Sequence, residues 1–408
     1  MSRITLAALA LLILALPAAA QEVGWMDQAQ ADVDSLTSDA FSGRGYADDG
    51  AAHAAAFVAR RMAAIGLRAM GDAFAQPFAF EADLLDGALL IVGDDTLRMG
   101  VDALPYAGSA SADVSGALVD AGDGTGGLID PSDERALVSG KIAVVTADVP
   151  ESVLEMLPPA VAIPGARASV LARSGATAVI VLVDDLMHGP AAFDLPIPML
   201  TVRRSSWPSD ADSARIVVRS RSNADVQAAN VVGRMPGTGE GAPLLVLAHY
   251  DHLGAFTDLA DSSRVIFRGA NDNASGTALL LALAQALADQ PMARDVVFAA
   301  VGGEEQGLKG ADLLACGGVD FPDLFARAQS LADSLDAGPI TPRPNRANSD
   351  HFPFLDSGTP GLYLLTSGGT QPYHSIGDVA ETLEWDDFAA VYHLALALIR
   401  ELDRKDAR

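Results

Sequence analysis

Residues 244–248, Leu-Leu-Val-Leu-Ala, form an unbroken apolar run, and His249-Tyr250-Asp251-His252 follows it without a gap. A run with no polar alternation belongs to a strand buried on both faces, as in a parallel sheet covered by helices. The pattern recurs at 295–301, where Asp-Val-Val-Phe-Ala-Ala-Val leads through Gly302-Gly303 into Glu304-Glu305. Chemistry-bearing side chains therefore sit at the ends of buried strands. In an open α/β sheet that edge is the crevice where ligands bind.

The remaining pattern supports the same class. Apolar residues recur at helical spacing over 28–36, 51–65, 166–174, 275–288 and 386–402. Gly66 and Gly175 stand where helix C-caps are expected, and Ser42-Gly43-Arg44-Gly45 is a turn-forming stretch. Strands are expected at 74–84, 140–145, 178–183, 197–202, 229–234, 244–248, 295–301 and 361–365. Strand and helix alternate, so the fold class is α/β, with a mostly parallel mixed sheet flanked by helices.

Composition shifts near Gly100. From there to about Ser222, short apolar strands are separated by Gly, Asp, Ser and Pro. This stretch reads as a smaller α/β unit inserted into the main one, and it holds no titratable cluster at catalytic spacing. The expected organisation is a targeting segment at 1–20, a first part of the main domain at 21–99, the insertion at 100–222, and the rest of the main domain at 223–408. Every candidate ligand lies outside the insertion, so metal binding is expected to survive its removal.

The first 20 residues read as a secretory signal: Arg3, an apolar run from Ile4 to Leu16 broken only by Thr5, then Pro17-Ala18-Ala19-Ala20 before Gln21. The run is shorter than the ~20 residues a spanning helix needs, so a mature chain without a membrane anchor is expected in the periplasm or outside the cell. A formal net charge of −26 argues against nucleic acid or an anionic membrane as partner. The single Cys316 excludes an internal disulfide and reads as a small apolar group. Nothing in the sequence fixes an oligomeric state.

Five segments carry candidate ligands. His249 and Asp251 are two apart on an extended segment and point the same way, so the carboxylate can orient the imidazole. Asp272 lies in Gly269-Ala270-Asn271-Asp272-Asn273-Ala274-Ser275-Gly276. Taken alone, that loop reads as an N-cap, and the same geometry can present one carboxylate to two metal ions. Adjacent acids after a buried strand, Glu304-Glu305, are costly unless paired or on metal. One suits ligation and the other proton transfer from water. Ser349-Asp350-His351 and Tyr373-His374 add a further acid and imidazole. Neutral imidazoles, carboxylates and a nearby base are the parts of a hydrolytic zinc site.

In this order the segments read His-x-Asp, Gly-x-Asn-Asp-Asn-x-Ser-Gly, Glu-Glu-x-Gly-Leu-x-Gly, Ser-Asp-His-x-x-Phe and Tyr-His-x-x-x-Asp. The set resembles the co-catalytic zinc exopeptidases, the family of secreted bacterial leucyl aminopeptidases and glutamate carboxypeptidase. The resemblance spans nearly the whole mature chain and implies that 100–222 is the protease-associated domain often inserted there. It implies an aminopeptidase acting on peptides with two zincs: His249 on one, Asp272 bridging, Glu305 and His374 on the other, Glu304 as general base and Asp251 orienting His249. The family pattern has a further strand after Glu-Glu that ends in an acidic ligand for the His249 zinc. Here Ala311-Asp312-Leu313-Leu314-Ala315 runs through Cys316-Gly317-Gly318 into Phe321-Pro322, and that strand is missing. Asp320 is the nearest stand-in, and Asp312 reads as an exposed helix residue. Three states stay open: two zincs with Asp320 restored as ligand, one zinc on Asp272, Glu305 and His374 as in the related glutaminyl cyclases, or a peptide-binding relative without catalysis.

Overall fold

A computed structural model describes residues 18–188, 194–239, 241–288, 290, 292–314, 322–335, 337, 340, 347–366 and 373–405. The targeting segment falls outside them up to residue 17, as do Cys316 and Asp320. No helix among the described residues is long and apolar enough to cross a membrane.

Two long antiparallel strands, Ala75–Val92 and Ser213–Met235, form the spine. They pair from Ala75↔Val231 to Val92↔Ala214, with register irregularities between Phe80 and Ala82 and between Leu85 and Gly87. At one end Met235 to Val231 pairs antiparallel with Val296–Val301, which pairs parallel with Leu244–His249. At the other end Ser213 to Val218 pairs antiparallel with Ala112–Asp120. Parallel pairings then run through Ile142–Thr146, Ala178–Val183 and Met199–Arg203. The result is one mixed sheet flanked by helices, and Ser213–Met235 crosses residue 222 without a break.

Packing follows the apolar pattern. All six residues of Val296–Val301 are buried, as a strand between two hydrogen-bonded neighbours with helices over it must be. Helix Ser275–Ala288 buries Leu280, Leu281, Leu283 and Leu287, each contributing about 1.5–3 kcal/mol of burial. Helices Ala18–Leu36, Gly50–Ile65 and Trp385–Lys405 share that core through Val33, Leu36, Val58, Met62, Tyr392 and Ile399. A second core, with Leu90, Leu104, Ile180, Leu200 and Ile216, fills the far end of the spine.

One expected element is absent. Residues 361–366 adopt no regular secondary structure. An extended run becomes a strand only when a neighbouring edge accepts its backbone hydrogen bonds. Among the described residues 361–365 pairs with no strand, and Leu244–His249 bonds only to Val296–Val301.

Candidate metal centre

Register builds the site. His249 pairs with Val301 in the parallel ladder, so both strands end level and deliver His249 and the Gly302-Gly303-Glu304-Glu305 segment to one edge. Gly303 has φ +73, a conformation L side chains rarely adopt, and its N–H donates to the Tyr46 hydroxyl at 2.7 Å. The next segment, around Asp272, is folded over this edge. Gly269 has φ +57, and a Cβ there would lie 2.2 Å from the Asp272 carbonyl oxygen. Asp378 holds the loop from the other side, its Oδ1 accepting from the Asn271 N–H at 2.8 Å and its Oδ2 from the Asp272 N–H at 3.0 Å.

Asp272 faces two imidazoles. Its Oδ1 is 3.3 Å from His249 Nε2, and its Oδ2 is 2.9 Å from His374 Nε2. His374 Nε2 is also 3.3 Å from Glu305 Oε2, while Glu305 Oε1 is 2.7 Å from His252 Nδ1. Donor atoms of His252, Asp272, Glu305 and His374 all lie within 4.8 Å of one another. His374 Nε2 is buried and makes no hydrogen bond of proper geometry with the carboxylates it approaches. Ring nitrogen and carboxylate oxygens converge on a shared point, the arrangement a cation requires. Imidazole and carboxylate donors suit zinc, so these residues fit the metal.

Charge on these groups follows from their packing. Burial pushes Asp272 up, but the His249 and His374 imidazoles against it outweigh that and hold its carboxyl well below the usual range. Burial and the Asp272 charge raise Glu305, and His252 and His374 reverse both, leaving it at about 2. Burial lowers His374, whereas Asp272 and Glu305 raise it further, to about 10. Glu304 is different: burial raises it, His249 only partly offsets this, and Ser349 donates it a hydrogen bond.

The structure places the six expected residues together, with one difference in detail. His249 Nδ1 lies 3.2 Å from the main-chain carbonyl of Asp251 and 3.9 Å from its carboxylate. The fully buried Asp251 carboxylate instead accepts from the Glu304 N–H at 3.3 Å. Asp312 is exposed on helix Lys309–Leu314. The stand-in Asp320 lies outside the described residues.

Four contributors have no individual role in the sequence reading. His252 ended a segment already noted but received no role, although its spacing of three from His249 could have flagged it. Arg44, read as part of a turn, is fully buried and donates to the carbonyls of Tyr250, Leu36, Arg268, Gly269 and Asp272. Asp350 is 1% exposed, and neither carboxylate oxygen finds a hydrogen-bond partner among the described residues. His188, inside the 100–222 stretch, bonds to His374 through its main-chain atoms, so that stretch touches the His374 segment.

A mixed α/β sheet thus brings imidazoles and carboxylates together at its strand ends, a donor set that suits zinc. The sequence profile of peptidase family M28 matches residues 230–320 and 320–399. A probable zinc metalloprotease of Leptosphaeria maculans is 42% identical over 99 residues, 24% of this chain and 22% of that protein. One from Pyricularia oryzae is 40% identical over 103 residues, 24% of this chain and 19% of its own length. The chain thus spans about a fifth of the length of these relatives. Among solved structures, a zinc aminopeptidase from Bacillus subtilis superimposes with a TM-score of 0.66 at 19% identity, over 94% of this chain and 96% of that one. An aminopeptidase from Aneurinibacillus sp. strain AM-1 gives 0.61 at 17%, over 92% and 93%. At these identities the likeness is one of fold.

Proposed function

We propose that this chain is an exported zinc aminopeptidase that removes N-terminal residues from peptides. The observation that carries the reading is the four-donor cluster with Glu304 beside it. Asp272, Glu305 and His374 would hold a zinc ion, with His252 fixing Glu305. His249 and Asp272 would form the weaker half of a second position, completed by Asp320 if that residue reaches it. Zinc, when bound there, polarises a carbonyl and brings the ionisation of water toward neutral pH.

The side chains do the rest. Glu304 accepts the proton of the attacking water and returns it to the leaving amine. Burial has raised its carboxyl from the ordinary value, which moves a general base toward the pH at which it must both take and give a proton. Ser349 and the backbone pairing with Asp251 fix the Glu304 segment. The names of the fold relatives, both aminopeptidases, support action at the peptide N-terminus. Residues 1–20 supply the export signal in this reading, and 100–222 are the protease-associated domain.

The test is Glu304→Gln, which keeps shape but cannot accept a proton. Peptide hydrolysis should fall by about 10²–10⁴, with zinc content unchanged. Loss of zinc along with activity would make Glu304 a ligand and overturn the assignment.

A further inference from the structure

His374 is held from the inserted stretch. The His188 N–H donates to the His374 carbonyl at 2.8 Å, and His374 Nδ1 lies 2.8 Å from the His188 carbonyl oxygen. A carbonyl can only accept, so Nδ1 carries a proton. That leaves Nε2 as the metal-facing atom, 2.9 Å from Asp272 and 3.3 Å from Glu305. The backbone at His374 has φ 51, uncommon for a residue with a Cβ and kept only where surrounding contacts enforce it.

His188 is itself anchored. It follows strand Ala178–Val183 by a short segment in which Leu186 is buried in the second core. Its ring meets that of Phe267 edge-on, with centroids 5.6 Å apart and planes at 71°. Phe267 is buried and leads directly into Arg268-Gly269, the start of the Asp272 loop. One contact thus joins the insertion, the Asp272 loop and the His374 segment. The other imidazole needs no such help, since His249 Nδ1 approaches a carbonyl only two residues away.

We propose that His188 is a positioning residue for the zinc ligand His374, so that the 100–222 insertion sets the affinity of the metal centre. The proposal rests on the zinc reading above. Outer partners that fix a ligating histidine are worth about 10–100-fold in metal affinity. Here the partner is main chain, presented by a loop that a ring contact holds in place.

The experiment uses the full-length chain, with zinc affinity measured by chelator competition and thermal unfolding of the zinc-free protein as the folding control. His188→Gly frees the loop and removes the ring contact, and should weaken zinc binding about 10–100-fold. Phe267→Leu removes the same contact from the opposite side and should weaken it in the same direction. His188→Phe keeps a ring against Phe267 and both backbone groups, and should bind zinc close to wild type. In the cadmium-loaded wild type, NMR should show the metal coupled to Nε2 of His374 and a slowly exchanging Nδ1–H, the latter lost in His188→Gly. Folded His188→Gly and Phe267→Leu proteins with wild-type affinity would overturn the proposal, as would His188→Phe binding as weakly as His188→Gly. A wild type that takes up no zinc would sink the zinc reading as well, a result distinct from both.

Discussion

The two halves of the metal centre are built to different standards. Around His374, four donors lie within 4.8 Å of one another and each carboxylate faces an imidazole. Around His249, Asp272 is the one proposed ligand within reach among the described residues, at 3.3 Å. Three protein ligands and water complete a catalytic zinc site, and two do not. The poorer half adjoins the place where the sheet stops, because Leu244–His249 has a neighbour on one side only among the described residues. The M28 match also divides at residue 320. In the proposed reading, a strand absent from this edge would cost one half of the centre its third ligand, while the other half keeps Asp272, Glu305 and His374.

Removing His374 should break this asymmetry most severely. Zinc binding to a four-ligand protein site is worth about 10–16 kcal/mol, so one ligand's share corresponds to roughly 10²–10³ in affinity. His374→Ala should lose the tight zinc by about that factor, whereas His249→Ala should leave it nearly unchanged. Chelator titration of both variants against wild type reads the difference directly. Two equally tight zincs, one of them lost in Asp320→Ala, would show the halves to be equivalent and the third ligand restored.

How much of this was legible from the residues follows the range of the interactions. Helix Ser275–Ala288 and strand Val296–Val301 were readable because their burial is written in consecutive residues. The six proposed site residues were readable because each lies in a short segment of distinctive composition. Arg44 was not, because its role consists of carbonyls as far as 228 residues away, and carbonyls leave no mark in a sequence. His188 and His374 are 186 residues apart and meet through main-chain atoms, so no side-chain pattern announces them. The expected strand at 361–365 failed for the converse reason: its composition is local, but its partner edge is not.

Arg44 offers a way to weaken both halves at once. Its guanidinium donates to Tyr250 next to His249, and to Gly269 and Asp272 in the bridging loop. Burial has lowered it to about 10 against the pull of Asp272, Asp378, Asp251 and Glu305, so it stays a cation at neutral pH. Lysine retains the charge but cannot span several carbonyls with one planar fork, and each buried carbonyl left unpaired costs about 1–3 kcal/mol. Arg44→Lys should lower unfolding stability by about 3 kcal/mol in denaturant titration and weaken zinc binding. An unchanged denaturation midpoint would mean that water or the introduced ammonium replaces the fork.

The smallest effect separates the halves by proton count. Without metal, His374 is held as an imidazolium by Asp272 and Glu305, its value raised from 6.5 to about 10. A folded-state value above the unfolded one gives stabilisation that is complete below pH 6.5 and fades as pH rises through about 10. Glu305, lowered from 4.5 to about 2, contributes above pH 4.5 and loses its contribution as pH falls through about 2. The zinc-free protein should therefore lose thermal stability between about pH 7 and 10, and the zinc-loaded protein should not show this loss, because its His374 is already neutral. Zinc must displace that proton from Nε2, so affinity should rise by about tenfold per pH unit between about pH 6 and 9. His374→Ala should flatten the slope, whereas His249→Ala should preserve it if the tight zinc sits at His374. A slope that survives His374→Ala and disappears in His249→Ala would place the tight zinc on the other half of the centre and reverse the comparison.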